Sequence, residues 1–104
     1  MSNQAYYKTP EHKKWRRSVY KRDGFVCKWP GCACNKDLEA HHIRKLASHP
    51  ELRSAIDNGI TLCEEHHRLT FDCEEKYESM FIEIISKMNK STFDIKRFMY
   101  FGEN

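Results

Sequence analysis

Apolar positions fall into two helical stripes, near the start and towards the end of the chain, separated by short strand-like runs. In the first stripe Trp15, Val19 and His12 recur at helical spacing while lysines and arginines occupy the other faces. Thr9-Pro10-Glu11 supplies a capping hydroxyl, a proline whose missing N–H is harmless in a first turn, and a carboxylate facing the helix dipole. Asp23-Gly24 is a stop signal, so the pattern predicts a basic amphipathic helix over about 10–22. Residues 25–37 hold Pro30, Gly31 and three cysteines, too rich in turns for a regular element, and read as a knuckle leading into a strand over 38–43. A polar connection follows from Arg44, with Pro50-Glu51-Leu52-Arg53 able to begin a short helix. Asn58-Gly59 then marks a turn before Ile60-Thr61-Leu62, a second strand expected to pair with the first. Helix-forming residues over 64–71 directly follow that strand. The second stripe, Tyr77, Met80, Phe81, Ile84, Ile85 and Met88, predicts a supporting helix over 74–88. Asn89 to Ser91 is expected to break it, with a last short helix over 92–101 whose Phe93, Phe98 and Tyr100 help cover a small core.

The chain has 104 residues, which argues for a single α+β domain with a modest core. The expected organisation is a basic helix at about 10–22, a strand-and-knuckle core at about 25–72 and supporting helices at about 74–101. With 32% charged and 39% hydrophobic residues, the composition excludes both a disordered chain and a membrane protein. Neither a membrane span nor an apolar signal-peptide core is visible, so a cytoplasmic location is the expectation. The formal net charge of +3 is mild, but its distribution is not. Lys8, Lys13, Lys14, Arg16, Arg17, Lys21 and Arg22 face only Glu11 at the basic end, where polyanions should be attracted. A solvated face is the bland reading of such a run. Its one-sided sign favours Lys13, Lys14, Arg16, Arg17, Lys21 and Arg22 including contacts to a nucleic-acid backbone.

Five cysteines in a reducing compartment suggest metal before disulfides. Cys27-x4-Cys32 and Cys63-x2-His66 are two short-spaced ligand pairs, the arrangement from which tetrahedral structural zinc sites are assembled, although Cys34 could replace Cys32. Cys73 stands apart as a spare thiol. A second constellation is His41-His42 at the end of the first strand and His67 in the following helix. Adjacent strand residues point to opposite faces, so the two histidines suit different roles. One can hold a divalent cation together with His67 while its neighbour accepts a proton from water. Trp15 is read as a core anchor, and Trp29 beside Pro30 is left open.

From about Trp15 to Phe71 these motifs resemble the HNH, or ββα-metal, nucleases. The matching segments are Lys21-Arg22-Asp23-Gly24-Phe25-Val26-Cys27, Pro30-Gly31-Cys32, Leu38-Glu39-Ala40-His41-His42-Ile43, and the run from Asn58-Gly59 through His66-His67. Pro50-Glu51-Leu52-Arg53 looks further like members found in phages and mobile elements, which implies a bacterial host cell. The resemblance implies a metal-dependent endonuclease that hydrolyses DNA, double-stranded in the first instance, to 5′-phosphate and 3′-hydroxyl ends. It assigns His41 and His67 to the catalytic cation, His42 to the general base and Asn58 to bracing the metal finger. Cys27, Cys32, Cys63 and His66 match its structural Zn2+ ligands. Some members carry a further histidine one helical turn after the His67 position, where this chain has Phe71. Two protein ligands leave a water-rich shell that suits Mg2+, with Mn2+ or Ni2+ as substitutes. Arg44, just after the first strand, is a candidate phosphate clamp. A zinc-stabilised nucleic-acid-binding module without activity is the alternative, favoured by Phe71 alone. A structural zinc domain for protein partners leaves the histidine pair unexplained. The expected state is a monomer, with a dimer as the route to double-strand breaks. Homing, restriction, defence and packaging roles stay open.

Overall fold

The computed structural model describes the backbone of residues 4–103 and the side chains of residues 5–88. The order is helix α1 (Gln4–Tyr7), helix α2 (Pro10–Arg22), strand β1 (Leu38–His42), 3-10 turns at Pro50–Leu52 and Ile56–Asn58, strand β2 (Gly59–Cys63), helix α3 (Glu64–Leu69) and helix α4 (Glu74–Glu103). The fold is α+β, with one two-stranded antiparallel sheet among the described residues.

Helix α2 begins where its capping chemistry directs. Thr9 is extended and its Oγ1 accepts from the His12 amide at 3.1 Å. The same hydroxyl donates to the Tyr6 carbonyl at 2.6 Å, tying α1 to the start of α2. Asp23 caps the other end, and Gly24 turns the chain away at φ +71°. The helix buries His12, Trp15 and Val19 and leaves Lys13, Lys14, Arg16, Arg17 and Lys21 exposed.

Strands β1 and β2 pair in the register Leu38↔Cys63 to His42↔Gly59. All of β2 is buried, because helices cover it and its second edge is closed. The Asp23 carboxylate accepts the Thr61 amide at 2.8 Å, the Lys28 amide donates to the Thr61 carbonyl at 2.9 Å, and Arg22 donates to the Gly59 carbonyl at 2.6 Å. These bonds satisfy polar groups that a two-stranded sheet would leave orphaned in the interior. Arg22 also pairs with Asp23 at 2.8 Å and donates to the Ile56 carbonyl at 2.8 Å. Counting Arg22 among the phosphate-contacting cations therefore needs correction. Its guanidinium is spent on backbone carbonyls and a buried carboxylate, and its side chain is 12% exposed.

The core gathers Cys27, Ile43, Ile60, Leu62, Cys63, Phe81 and Ile85, with Tyr77, Met80, Ile84 and Met88 packed against it. The expected stripe of the supporting helix is thus the stripe that faces inward. The expected break at Asn89 to Ser91 is absent, and α4 runs on as one helix to Glu103. Asn, Lys, Ser and Thr each cost a helix at most about 0.7 kcal/mol, and neither Gly nor Pro stands there to interrupt the ladder. The core-covering role expected of Phe93, Phe98 and Tyr100 lies outside the described side chains. Among the described residues no helix is long and apolar enough to cross a membrane.

Asn58-Gly59 is a second correction. Asn58 ends a 3-10 turn and Gly59 is extended, at φ −124° and ψ 149°, so glycine is not there for a left-handed turn. A Cβ at 59 would stand 2.5 Å from Val19 Cγ2 and 2.6 Å from Trp15 Cζ2. The missing side chain is what lets α2 lie against β2.

Candidate functional site

Two sites lie on the strand-and-helix unit. In the first, the ligand atoms of Cys27, Cys32, Cys63 and His66 all lie within 4.8 Å of one another. The knuckle shapes half of it: Gly31 sits at φ +82°, the Cys32 amide donates to the Trp29 carbonyl at 2.9 Å, and the Trp29 amide points at Cys27 Sγ at 3.5 Å. The other half follows from helix periodicity, since Cys63 caps α3 and His66 lies in its first turn. His66 Nδ1 is 3.3 Å from Cys63 Sγ and 3.6 Å from Cys27 Sγ. Ligands at about 2.0–2.3 Å around a tetrahedral ion would be separated by about 3.5–3.8 Å, so the spacing fits zinc. Burial pushes the Cys27 thiol well above its ordinary value, and a cation among the four atoms is what would make thiolates favourable there. Trp29 stacks flat on His66, ring centroids 4.8 Å apart at 2°, which fixes the imidazole. Cys34 is outside the group. Its carbonyl accepts the Cys27 amide, while its exposed thiol points to the Lys36 carbonyl. Cys73 is likewise separate, with Sγ 3.1 Å from the Leu69 carbonyl.

The second site is an open cleft of about 660 Å³ lined by residues from α1, α2, β1 and the following loop, by His67 of α3, and by Phe71, Asp72 and Glu74 where α3 passes into α4. His41, His42 and His67 all face it. His41 is 5% exposed and its Nε2 is buried with no hydrogen-bond partner among the described residues. The His67 ring stands across from it, centroids 5.3 Å apart and nearly perpendicular. Burial first, then the neighbouring His67 and His42, drives His41 down to about 3, so its imidazole is neutral with a lone pair to give. His67 is lowered by burial, partly offset by Glu39 and Glu74. Glu39 was missed from the sequence, although strand alternation places it on the His41 face two residues earlier.

His42 emerges on the other face of β1 and stacks on Trp15, centroids 4.0 Å apart at 4°. Trp15 occupies the space opposite His42 that a side chain at Gly59 would fill, and its Nε1 donates to the Ala55 carbonyl at 2.8 Å. His42 Nε2 lies 3.0 Å from the Arg53 carbonyl. A carbonyl can only accept, so Nε2 carries the proton and Nδ1 keeps its lone pair. Burial lowers the His42 pKa, with the Arg53 bond opposing. Tyr6 donates to the same carbonyl at 2.6 Å.

Asn58 is buried and clamps the chain after β1. Its Oδ1 accepts the Arg44 amide at 2.8 Å and its Nδ2 donates to the Arg44 carbonyl at 3.1 Å. That holds the loop between His42 and Arg53 to β2 and never touches the His42 ring directly. Arg44 is exposed and does not line the cleft; Arg16 and Lys45 are the cations that do. His12 also lines the cleft, 7% exposed, with Nδ1 unpartnered among the described residues. Its helical spacing with Trp15 announced burial but gave no sign of the cleft. No protein-family model, curated protein or solved structure matches the chain.

Proposed function

We propose that the chain is a metal-dependent HNH-type endonuclease that hydrolyses DNA phosphodiester bonds, built around a structural zinc. The observation that carries this reading is the division of labour across β1. His41, with its buried unpartnered nitrogen, faces His67 on one side, while His42 on the other is locked by Trp15 and Arg53 into a single tautomer.

A neutral imidazole lone pair without a protein partner beside a second neutral imidazole is a donor set that fits a borderline divalent cation. His41 and His67 would hold it. When bound, such a cation supplies charge neutralisation at the scissile phosphate and its leaving oxygen. The rest falls to the chain's own groups. His42 Nδ1 takes the proton of the attacking water, and the Arg53 carbonyl stabilises the imidazolium that results. Trp15 keeps the ring from rotating, which preserves the alignment on which in-line attack depends. Asn58 fixes the loop that presents Arg53. Arg16 and the other exposed cations of α2 attract the phosphate backbone, giving affinity rather than sequence choice, while Lys45 pairs with Glu74 at 3.7 Å on the cleft. The Cys27, Cys32, Cys63 and His66 group joins the knuckle to the start of α3, so these four residues, holding zinc, would keep His67 in place.

Supercoiled plasmid incubated with the zinc-loaded protein should be nicked in magnesium or manganese and left intact after chelation. His42→Ala should abolish nicking while fold and zinc content are retained. Undiminished activity in that variant removes His42 from the mechanism, and no cleavage with any divalent cation leaves the inactive binding module as the better reading.

A further inference from the structure

Two aromatic rings on the rim of the cleft are unused by the chemistry above. Tyr7 is 43% exposed and Phe71 is 56% exposed, and both line the cleft. Among the described large apolar side chains that are exposed, Phe25, Ile56 and Leu69 lie off it. Each rim ring lies near one of the site histidines. Phe71 meets His67 edge to face with centroids 5.1 Å apart, and Tyr7 lies 6.4 Å from His42. Tyr7 is also held edge to face on His12 at 4.9 Å, and its neighbour Tyr6 pins α1 to the loop through the Arg53 carbonyl and Ser54. Both rings are therefore positioned rather than dangling, yet much of each is left to water.

We infer that Tyr7 and Phe71 are stacking platforms for unpaired bases on either side of the reacting phosphate, so that the preferred substrate is single-stranded DNA; this rests on the nuclease reading of the cleft. An aromatic face beside a cationic groove is the recurring device for holding a single strand, because every base offers a π-face whatever its sequence. In a duplex those faces are covered by neighbouring base pairs, and rings on the rim would meet only sugar and phosphate. Arg16 lines the cleft and, with the other exposed cations of α2, supplies the charge that tracks the backbone, while Lys45 is paired with Glu74 at 3.7 Å and Glu39 and Asp72 line the cleft beside them.

The test separates binding from cutting. In a His42→Ala background, a fluorescent short oligothymidine and a hairpin duplex are titrated at one salt concentration and anisotropy is read. Tyr7→Leu and Phe71→Leu, which keep apolar bulk and remove the ring, should each weaken oligothymidine binding by about ten- to hundredfold, with less than about twofold effect on the duplex. Tyr7→Phe should bind like the parent. Equal losses on both ligands, no loss on either, or a Tyr7→Phe defect as large as that of Tyr7→Leu would overturn the inference. Cleavage of circular single-stranded and plasmid DNA by the parent chain and by its Tyr7→Leu and Phe71→Leu variants is scored separately. Ring-dependent binding without any cleavage sinks the nuclease reading and leaves the platforms standing, whereas cleavage indifferent to both rings does the reverse.

Discussion

Gly59→Ala is a small change whose effects should reach His42, the proposed general base. The added methyl would sit 2.5 Å from Val19 Cγ2 and 2.6 Å from Trp15 Cζ2, where carbon atoms prefer about 3.5–4.0 Å. Roughly 1 Å of movement is therefore demanded of α2 or of its side chains. Neither neighbour can yield cheaply: Val19 is fully buried, and Trp15 is stacked on His42 and bonded to the Ala55 carbonyl. Overpacking of this kind costs about 1–3 kcal/mol, against about 0.5–1 kcal/mol recovered from the lower unfolded-state entropy of alanine. A net loss on the order of 1–2 kcal/mol should lower the melting temperature of a domain this size by roughly 5–15 °C. Because His42 rides on the Trp15 ring, nicking should fall further than stability, by on the order of a hundredfold for an ångström of misplacement. Circular dichroism melts and plasmid nicking at a temperature where both proteins are folded would measure the two effects. Adding Val19→Ala relieves only the aliphatic clash, so stability should partly recover while cleavage stays low. A Gly59→Ala variant that melts and cuts like the parent would show that α2 does not press on β2 as described.

Cys63→Ser should lose zinc and with it the cooperative fold, since structural zinc binding is largely folding free energy; a soluble zinc-free variant that melts with the parent would refute this. Arg22→Lys cannot reach Asp23 and the Ile56 and Gly59 carbonyls with one ammonium, so urea denaturation should show a loss of about 1.5–3 kcal/mol, and an unchanged midpoint would return Arg22 to the surface cations. Acidification should destabilise the protein through His41. Its folded pKa of about 3 lies below its unfolded value, so the unfolded chain binds the extra proton throughout that interval. Stability is full above pH about 6.5 and falls by about 1.4 kcal/mol per pH unit as pH drops towards 3. His41 is not part of the Cys27, Cys32, Cys63 and His66 group, so unfolding of wild type and His41→Gln compared between pH about 6.5 and 5 isolates the His41 contribution, and identical slopes would remove it.

Much of the architecture is local and could be read in one dimension. The Thr9 cap, the inward stripe of His12, Trp15 and Val19, the two strands and the stripe from Tyr77 to Met88 follow from hydrogen-bonding needs and periodicity, which act over a few residues. The short spacings Cys27-x4-Cys32 and Cys63-x2-His66 likewise marked the group that could hold a metal, because each pair is set by a turn. What periodicity cannot carry is which distant group fills a space or satisfies a polar atom. Arg22 looked like one more surface cation until the edge of β2 needed a donor, and Gly59 looked like a turn until Trp15 needed its volume. The exclusion of Cys34, the entry of His12, Glu39 and Lys45 into the cleft, and the tautomer of His42 all depend on partners brought together by packing. Chemical identity was inscribed along the chain; the tertiary contacts alone decided which of those groups face one another.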